Sequence, residues 1–358
     1  MSIYIHIPFC DNICSYCDFC KIYYNKKYID LYLDNLKKEI EERYKGEKVK
    51  TIYIGGGTPS SLSDDELIRL FDIIKIFDVE DDMEFTIEGN VESLTEAKLK
   101  IMKEYGVNRI SVGVQSFNSD VINLLGRNHN KEEVYDKINL IKKYISNINI
   151  DLIYAAYDDI MILKDDIKYF LELDIPHIST YSLIIEDNTM LKIKGFKNID
   201  EDIDYEMYKY IEDTLEDNGY KHYEISNYAK EGYDSKHNLV YWNNEYYYGF
   251  GLSSTSYLYN NRRVNTKNLS KYLKGEYIDY EDVEDINIRM ENEVMLGLRK
   301  LSGIDINIFK DKYGVSIFDV FNIDNLIKEG YLVLDGNNLK IDKKYMYISN
   351  EILVRMFD

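Results

Sequence analysis

Six short β-rich runs, each trailed by a longer amphipathic segment, occupy the chain from residue 1 to about 185 and restrict the folds open to it. The runs are Ile3–His6, Thr51–Gly55, Glu84–Glu88, Arg109–Val114, Asn149–Tyr154 and His177–Leu183. Helical periodicity lies between them at Tyr28–Tyr44, Asp64–Ile76, Thr95–Tyr105, Lys131–Ile145 and Lys164–Leu173. This alternation predicts an α/β fold of parallel strands joined by helical crossovers. Six such units make a partial (β/α)6 barrel, with ligands expected at the carboxyl ends of the strands. Ser63 with Glu66 reads as a capping box before Leu67, and Gly106 as the stop after the helix ending near Tyr105.

Beyond the sixth run, a helix over Tyr205–Asn218 leads into the strand-like His222–Tyr228, and Asn244–Thr266 reads as loop and hairpin. The charged stretch Glu276–Asp285 reads as a linker. After it, helical patterns at Arg289–Lys300, Ile306–Lys312 and Ile317–Glu329 precede two short runs, Tyr331–Leu334 and Leu339–Ile341. Helices followed by a small β-wing predict a smaller, winged-helix-like C-terminal domain. The expected division is therefore 1–275, with its core at 1–185 and an extension at 186–275, and 276–358.

Cys10, Cys14 and Cys17 follow the run Tyr4-Ile-His-Ile-Pro-Phe9 in the spacing C-x3-C-x2-C. Such a loop can wrap an iron–sulfur cluster, whose ligands are usually four thiolates. Three thiolates leave one iron for a ligand that is not protein. Cys20 offers a fourth ligand, so a closed zinc site is the alternative. Disulfides are disfavoured, because all 4 cysteines fall within one short segment and pairing there would staple almost nothing. The chain opens on a strand-like segment where a secretory signal would stand, and a reducing cytoplasm is the expected setting.

Charge excludes some partners. With 44 Lys+Arg against 64 Asp+Glu the formal charge is −20, which repels phosphate backbones and disfavours a nucleic-acid role. No window approaches the roughly 18 unbroken apolar residues of a membrane span.

Several residues at the expected strand ends carry further chemistry. Gly55-Gly-Gly-Thr58-Pro59 follows the second run; its backbone can approach a small polar ligand, or simply form a tight turn. Glu88 and Gln115 end the third and fourth runs, and Asp151 lies in the fifth; each offers an acceptor for hydroxyl groups. Arg127 offers a bidentate partner for a carboxylate. Each is ordinary alone; their succession along the strand ends is the signal.

These residues also carry a resemblance. The three-cysteine loop with the glycine run one strand later resembles radical S-adenosylmethionine (SAM) proteins. The strings Tyr4-Ile-His-Ile-Pro-Phe-Cys10, Cys17-Asp-Phe19, Gly55-Gly-Gly-Thr-Pro59 and Ser111-Val-Gly-Val-Gln-Ser-Phe117 resemble the oxygen-independent coproporphyrinogen oxidase family. Tyr223-Glu-Ile-Ser-Asn-Tyr-Ala229, His237-Asn-Leu-Val-Tyr-Trp242 and Leu296-Gly-Leu-Arg299 look like its HemW branch of heme chaperones. The resemblance runs from Ile3 to about Leu353.

The resemblance implies that Cys10, Cys14 and Cys17 bind a [4Fe-4S] cluster whose remaining iron chelates SAM. It matches Tyr4, Tyr16, Gly56, Gly57, Thr58, Glu88, Gln115, Arg127 and Asp151 to SAM-contacting positions. It also implies one-electron cleavage of SAM to a 5′-deoxyadenosyl radical, with flavodoxin or ferredoxin as electron donor. Cys20 would be a non-ligand thiol, since a fourth cysteine would close the iron that SAM needs.

The branch point lies between oxidase and chaperone. Oxidases of the family carry a segment ahead of the cysteine loop, whereas the first cysteine here is residue 10. Their fourth cysteine sits in a C-x-C arrangement, whereas position 19 here is Phe. Both differences point to the chaperone, and oxidative decarboxylation of coproporphyrinogen III is the alternative. In the chaperone reading His237 ligates heme iron, with Tyr241 and Trp242 as an aromatic wall. A hydrogen-bonded structural histidine beside the chain's single Trp is the competing account. The implied partners are heme and acceptor hemoproteins such as respiratory enzymes, with the protein a monomer or homodimer. Two departures stand out. Ala155-Ala-Tyr-Asp-Asp159 replaces a Gly-Leu-Pro turn, and Thr255 replaces a histidine.

Overall fold

A computed structural model describes residues 1–357. The six expected strands form at Ser2–Ile7 (β1), Val49–Gly56 (β2), Val79–Asn90 (β3), Arg109–Gln115 (β4), Asn147–Tyr154 (β5) and His177–Ser182 (β6). Adjacent members pair in parallel in chain order. Helices follow the first five at Lys26–Arg43, Asp64–Ile74, Glu96–Glu104, Lys131–Lys142 and Ile160–Leu173. The Ser63/Glu66 capping box is present in both directions. Along β2, Ile52 and Ile54 turn outward to pack under the helices, fully buried, while Thr51, Tyr53 and Gly55 face the barrel axis on the alternate period.

The sheet continues at both free edges. Lys221–Glu224 (β7) and Asn227–Ala229 (β8) extend the β6 side, with β8 antiparallel to β6. Tyr247–Phe250 (β9) pairs in parallel with β1. Thr255–Leu258 (β10), Asn261–Asn265 (β11) and Ile278–Val283 (β12) then continue antiparallel. The sheet order is β12-β11-β10-β9-β1-β2-β3-β4-β5-β6-β8-β7. Two expectations are corrected here. Asn244–Thr266 contains a seventh parallel strand as well as a hairpin. The stretch read as a linker, Glu276–Asp285, contains edge strand β12, so this sheet runs past residue 275. Its charges mislead because all six residues of this edge strand are exposed, so Asp279, Glu281 and Asp282 sit among Ile278, Tyr280 and Val283 without a buried face to mark a strand.

Between β8 and β9 the chain passes from one free edge of the barrel to the other through a short helix, Lys236–Trp242. The C-terminal unit has its own core around Val294, Phe309, Leu326 and Leu339. Helix Ile286–Gly297 opens it, capped by Asp285, and Ile304–Asp305, Asn338–Ile341 and Leu332–Asp335 form a small antiparallel sheet. The expected helix Ile317–Glu329 splits into Ile317–Val320 and Ile323–Lys328. Phe321 breaks it in extended backbone, its ring set against Phe309 and Phe357. No helix among the described residues is long and apolar enough to cross a membrane.

Candidate functional site

A cavity of about 390 Å³ opens at the C-terminal ends of the barrel strands. Cys10, Cys14, Cys17 and Tyr16 reach it from the loop after β1, and Gly56, Gly57 and Thr58 from the end of β2. Glu88, Gln115 and Asp151 line it from β3, β4 and β5, and Arg127 from the segment after β4. The sequence-predicted residues of the barrel mouth thus come together, with one exception described below.

The glycine run is a matter of room as much as of turning. A Cβ on Gly55 would lie 2.9 Å from the Glu88 carboxyl group, and one on Gly56 would lie 2.7 Å from the His6 ring. One on Gly57 would meet the Pro8 carbonyl at 2.7 Å and Cys10 Sγ at 2.9 Å. Gly56 also takes φ +117°, a left-handed conformation that only glycine adopts without strain. Gln115 is held in such a conformation without being glycine, at φ 71°. Strain of this kind costs about 1–3 kcal/mol and clusters at ligand sites.

The carboxylates are buried and bonded. Glu88 accepts the Tyr53 hydroxyl at 2.7 Å and the Gly56 N–H at 3.0 Å. Burial pushes its pKa up to about 7. Asp151 accepts from Asn149 Nδ2 at 2.9 Å and from the Ser111 hydroxyl at 3.2 Å, and burial raises it too. Against the upward push of burial, a hydrogen bond from His129 and the Arg127 charge hold Glu92 down at about 2. Arg127 therefore keeps a charged neighbour on its outer side, 3.8 Å away.

The thiols fit a cluster loop. Arg127 Nη1 lies 3.6 Å from Cys14 Sγ, and Thr58 Oγ1 lies 3.5 Å from Cys10 Sγ. Burial raises the Cys10 thiol to about 11, so cationic neighbours or metal must favour the thiolate. Among the described residues no three His, Cys, Asp or Glu side chains converge on a single ion. A four-iron cluster does not ask for that, since each thiolate reaches a different iron; what it asks for is a shared cavity wall. Arg127 Nε is buried without a protein partner, a donor suited to an anionic group of a ligand. Cys20 does not line the cavity: its carbonyl accepts from His6 Nε2 at 2.8 Å, and its thiol faces Ser253.

Two of the expected residues lie outside this cavity. Tyr4 does not reach the cavity; its hydroxyl is bonded to His6 Nδ1 at 3.0 Å and its ring stacks on Tyr53. It braces His6, which fills the space that Gly56 leaves. His237 lies at the other end of the barrel. It sits on the Lys236–Trp242 helix, which plugs the N-terminal opening, and is 1% exposed. Its Nδ1 pairs with Thr51 Oγ1 at 2.8 Å and its Nε2 with the Tyr241 hydroxyl at 2.8 Å. Its ring stacks on Tyr53, with centroids 5.1 Å apart. Burial pulls its pKa down to about 3, so the ring is neutral, yet neither nitrogen is open in this arrangement. Tyr241 is a hydrogen-bond partner rather than an aromatic wall, and Trp242 lies under Arg299 of the C-terminal unit, 5.8 Å from its guanidinium.

Sequence reasoning misses the barrel interior. Asn90 bonds Thr58 Oγ1 at 3.2 Å and lines the cavity, and it lies two residues past Glu88 on the same strand face. That spacing is a usable signal. Arg109, Asn149, His177 and Tyr223 are buried deeper. Asn149 Oδ1 pairs with His177 Nδ1 at 2.6 Å, and Tyr223 pairs with His177 Nε2 at 2.8 Å. Nothing local in the sequence marks this set.

Comparison with known proteins gives the family. The Radical SAM superfamily model matches residues 4–165, and the HemN C-terminal domain model matches residues 287–344. The chain is 40% identical to the heme chaperone HemW of Lactococcus lactis subsp. lactis, covering 98% of this chain and 96% of that protein. It is 36% identical to the heme chaperone HemW of Bacillus subtilis, covering 98% and 97%. The solved structure of Escherichia coli coproporphyrinogen III oxidase (HemN), a radical SAM enzyme, superimposes with a TM-score of 0.87 at 22% identity, covering 99% of this chain and 89% of that one. That likeness concerns the fold. With near full-length identity above one third to two HemW proteins, the chain belongs to the HemW family of radical SAM proteins.

Proposed function

We propose that this protein is a heme chaperone that holds a [4Fe-4S] cluster and SAM in the barrel cavity and passes heme to acceptor hemoproteins. The observation that carries the cofactor half is the meeting of Cys10, Cys14 and Cys17 with the glycine run, Glu88, Gln115, Arg127 and Asp151 in one cavity. The heme half rests on the HemW relatives, which match nearly end to end.

Cys10, Cys14 and Cys17 would hold the cluster. Bound there, it supplies one-electron chemistry on SAM. Arg127 offers its guanidinium to a carboxylate, and the Gly56–Thr58 backbone lies open to an amino group. Glu88 and Asp151 offer acceptors for ribose hydroxyls, and Gln115 lines the same cavity. His237 is the proposed heme ligand, and ligation requires the plug helix to give up Thr51 and Tyr241. Acceptors among respiratory enzymes, a flavodoxin- or ferredoxin-like electron donor, a monomeric or homodimeric state and a cytoplasmic setting belong to the same proposal.

Hemin titrated into anaerobically reconstituted protein, wild type beside His237→Ala, tests this by the Soret band. Saturable binding lost in the variant is expected. Binding that ignores the substitution would overturn His237 as ligand. Carbon dioxide release from coproporphyrinogen III, dependent on SAM, would favour the oxidase instead.

A further inference from the structure

The strand-borne cavity carboxylates Glu88 and Asp151 are both tied through the barrel to the plug helix. Glu88 accepts the Tyr53 hydroxyl at 2.7 Å, and the same Tyr53 ring stacks on His237 at an interplanar angle of 30°. Asp151 accepts from Asn149, whose Oδ1 pairs with His177, which pairs in turn with the Tyr223 hydroxyl. That hydroxyl also accepts the N–H of Ser235 at 3.2 Å, and Ser235 caps the plug helix. The plug's first N–H groups, of Lys236 and His237, end on the Glu84 carboxylate of β3 at 3.0 and 2.9 Å.

The interior is not fully satisfied in this arrangement. Thr86 Oγ1 and Arg109 Nε are buried without a partner. Buried polar networks with orphaned members are costly, so a rearranged interior is not heavily penalised. Tyr53 touches both the cavity carboxylate Glu88 and the imidazole. A ligand hydroxyl that engages Glu88 Oε1 competes with the Tyr53 hydroxyl for that oxygen.

We infer that Tyr53 is a positioning residue that links the cavity to the plug, so that a ligand drawing on Glu88 loosens the hold on His237. The inference rests on the heme-ligand reading above. SAM and heme binding are then positively linked, and by reciprocity each raises the affinity of the other by the same factor.

The test uses reconstituted protein with its cluster left unreduced, so that SAM binds without turnover. Hemin affinity is measured with and without saturating SAM, in wild type and in Tyr53→Phe, which keeps the ring and removes the hydroxyl. Equilibrium dialysis checks SAM binding in each. In wild type, SAM is expected to tighten hemin about fivefold or more, within the usual range of coupling. In Tyr53→Phe that ratio is expected to fall close to one while SAM still binds. A heme-free readout is built in, because Trp242, the chain's single tryptophan, is the last residue of the plug helix. SAM should shift its emission in wild type and not in the variant. Equal hemin ratios in both proteins would overturn the inference, as would SAM-saturated wild type with unmoved Trp242 emission. Hemin binding that survives His237→Ala would instead sink the heme-ligand reading, and the Trp242 shift would still decide the link.

Discussion

At one end the barrel gathers thiols, glycines and carboxylates around an open cavity of about 390 Å³; at the other, a seven-residue helix closes it and leaves neither nitrogen of His237 free. The open end is built from residues close in sequence or at matching strand ends. The closed end is built by a crossover that spans both free edges of the sheet. An open site needs only donors facing a common space. A closed one favours paired polar groups, as His237 shows with Thr51, Glu84 and Tyr241, although Thr86 Oγ1 and Arg109 Nε nearby stay unpaired. The two ends therefore answer differently to perturbation.

Removing a thiol at the open end has the largest expected effect. Cys14→Ser should abolish the cluster, read as loss of bound iron and labile sulfide, while Trp242 emission stays as in wild type. Unchanged iron and sulfide would mean that the cavity is not the cluster site. At the closed end, Glu84→Gln replaces a charged acceptor of two helix N–H groups. Such bonds contribute about 1.5–3 kcal/mol each, so a loss of roughly 2 kcal/mol should appear in urea unfolding, with faster hemin uptake. Unfolding unchanged in the variant would show that the plug is held by packing alone.

Glu88 connects the ends, and pH probes it. Its carboxylate accepts hydroxyl groups, so SAM affinity should rise about tenfold between pH 6 and 8 as the group ionises around 7. Glu88→Gln should flatten that profile; an unaltered profile would remove Glu88 from SAM recognition. Stability of the ligand-free chain moves the opposite way. The folded pKa is raised above 4.5, so the native state binds more protons between about 4.5 and 7. The Glu88 contribution to stability is thus present at low pH and lost as pH rises through 7. The smallest effect is expected at Ala155, which holds φ 62°, a left-handed conformation that favours glycine. Ala155→Gly should stabilise by about 1 kcal/mol, read by urea midpoint. A loss of stability would show that the buried methyl group matters more than the backbone.

The open end is legible in the sequence for a physical reason. Cys10, Cys14 and Cys17 sit within one loop, and parallel strands carry their C-terminal residues to the same end wherever the helices lie. Glu88, Gln115 and Asp151 can therefore be grouped from strand order and direction alone. Tyr4 escapes that logic because its position on β1 faces the axis one layer too deep, where it braces His6 instead of the cavity. The break within Ile317–Glu329 is likewise hidden, because periodicity does not register a ring pinned between Phe309 and Phe357.

By itself the sequence determined the strand-and-helix alternation, the three-cysteine loop and the barrel end at which it gathers, since those follow from local spacing and strand direction. The placing of His237 belonged to the tertiary structure alone. Its bond to Thr51 joins residues 186 positions apart, and it exists only because β8 and β9 dock on opposite edges and draw the helix between them beneath the barrel. A motif names its side chains, but the strands that flank it decide whether they meet a ligand or one another.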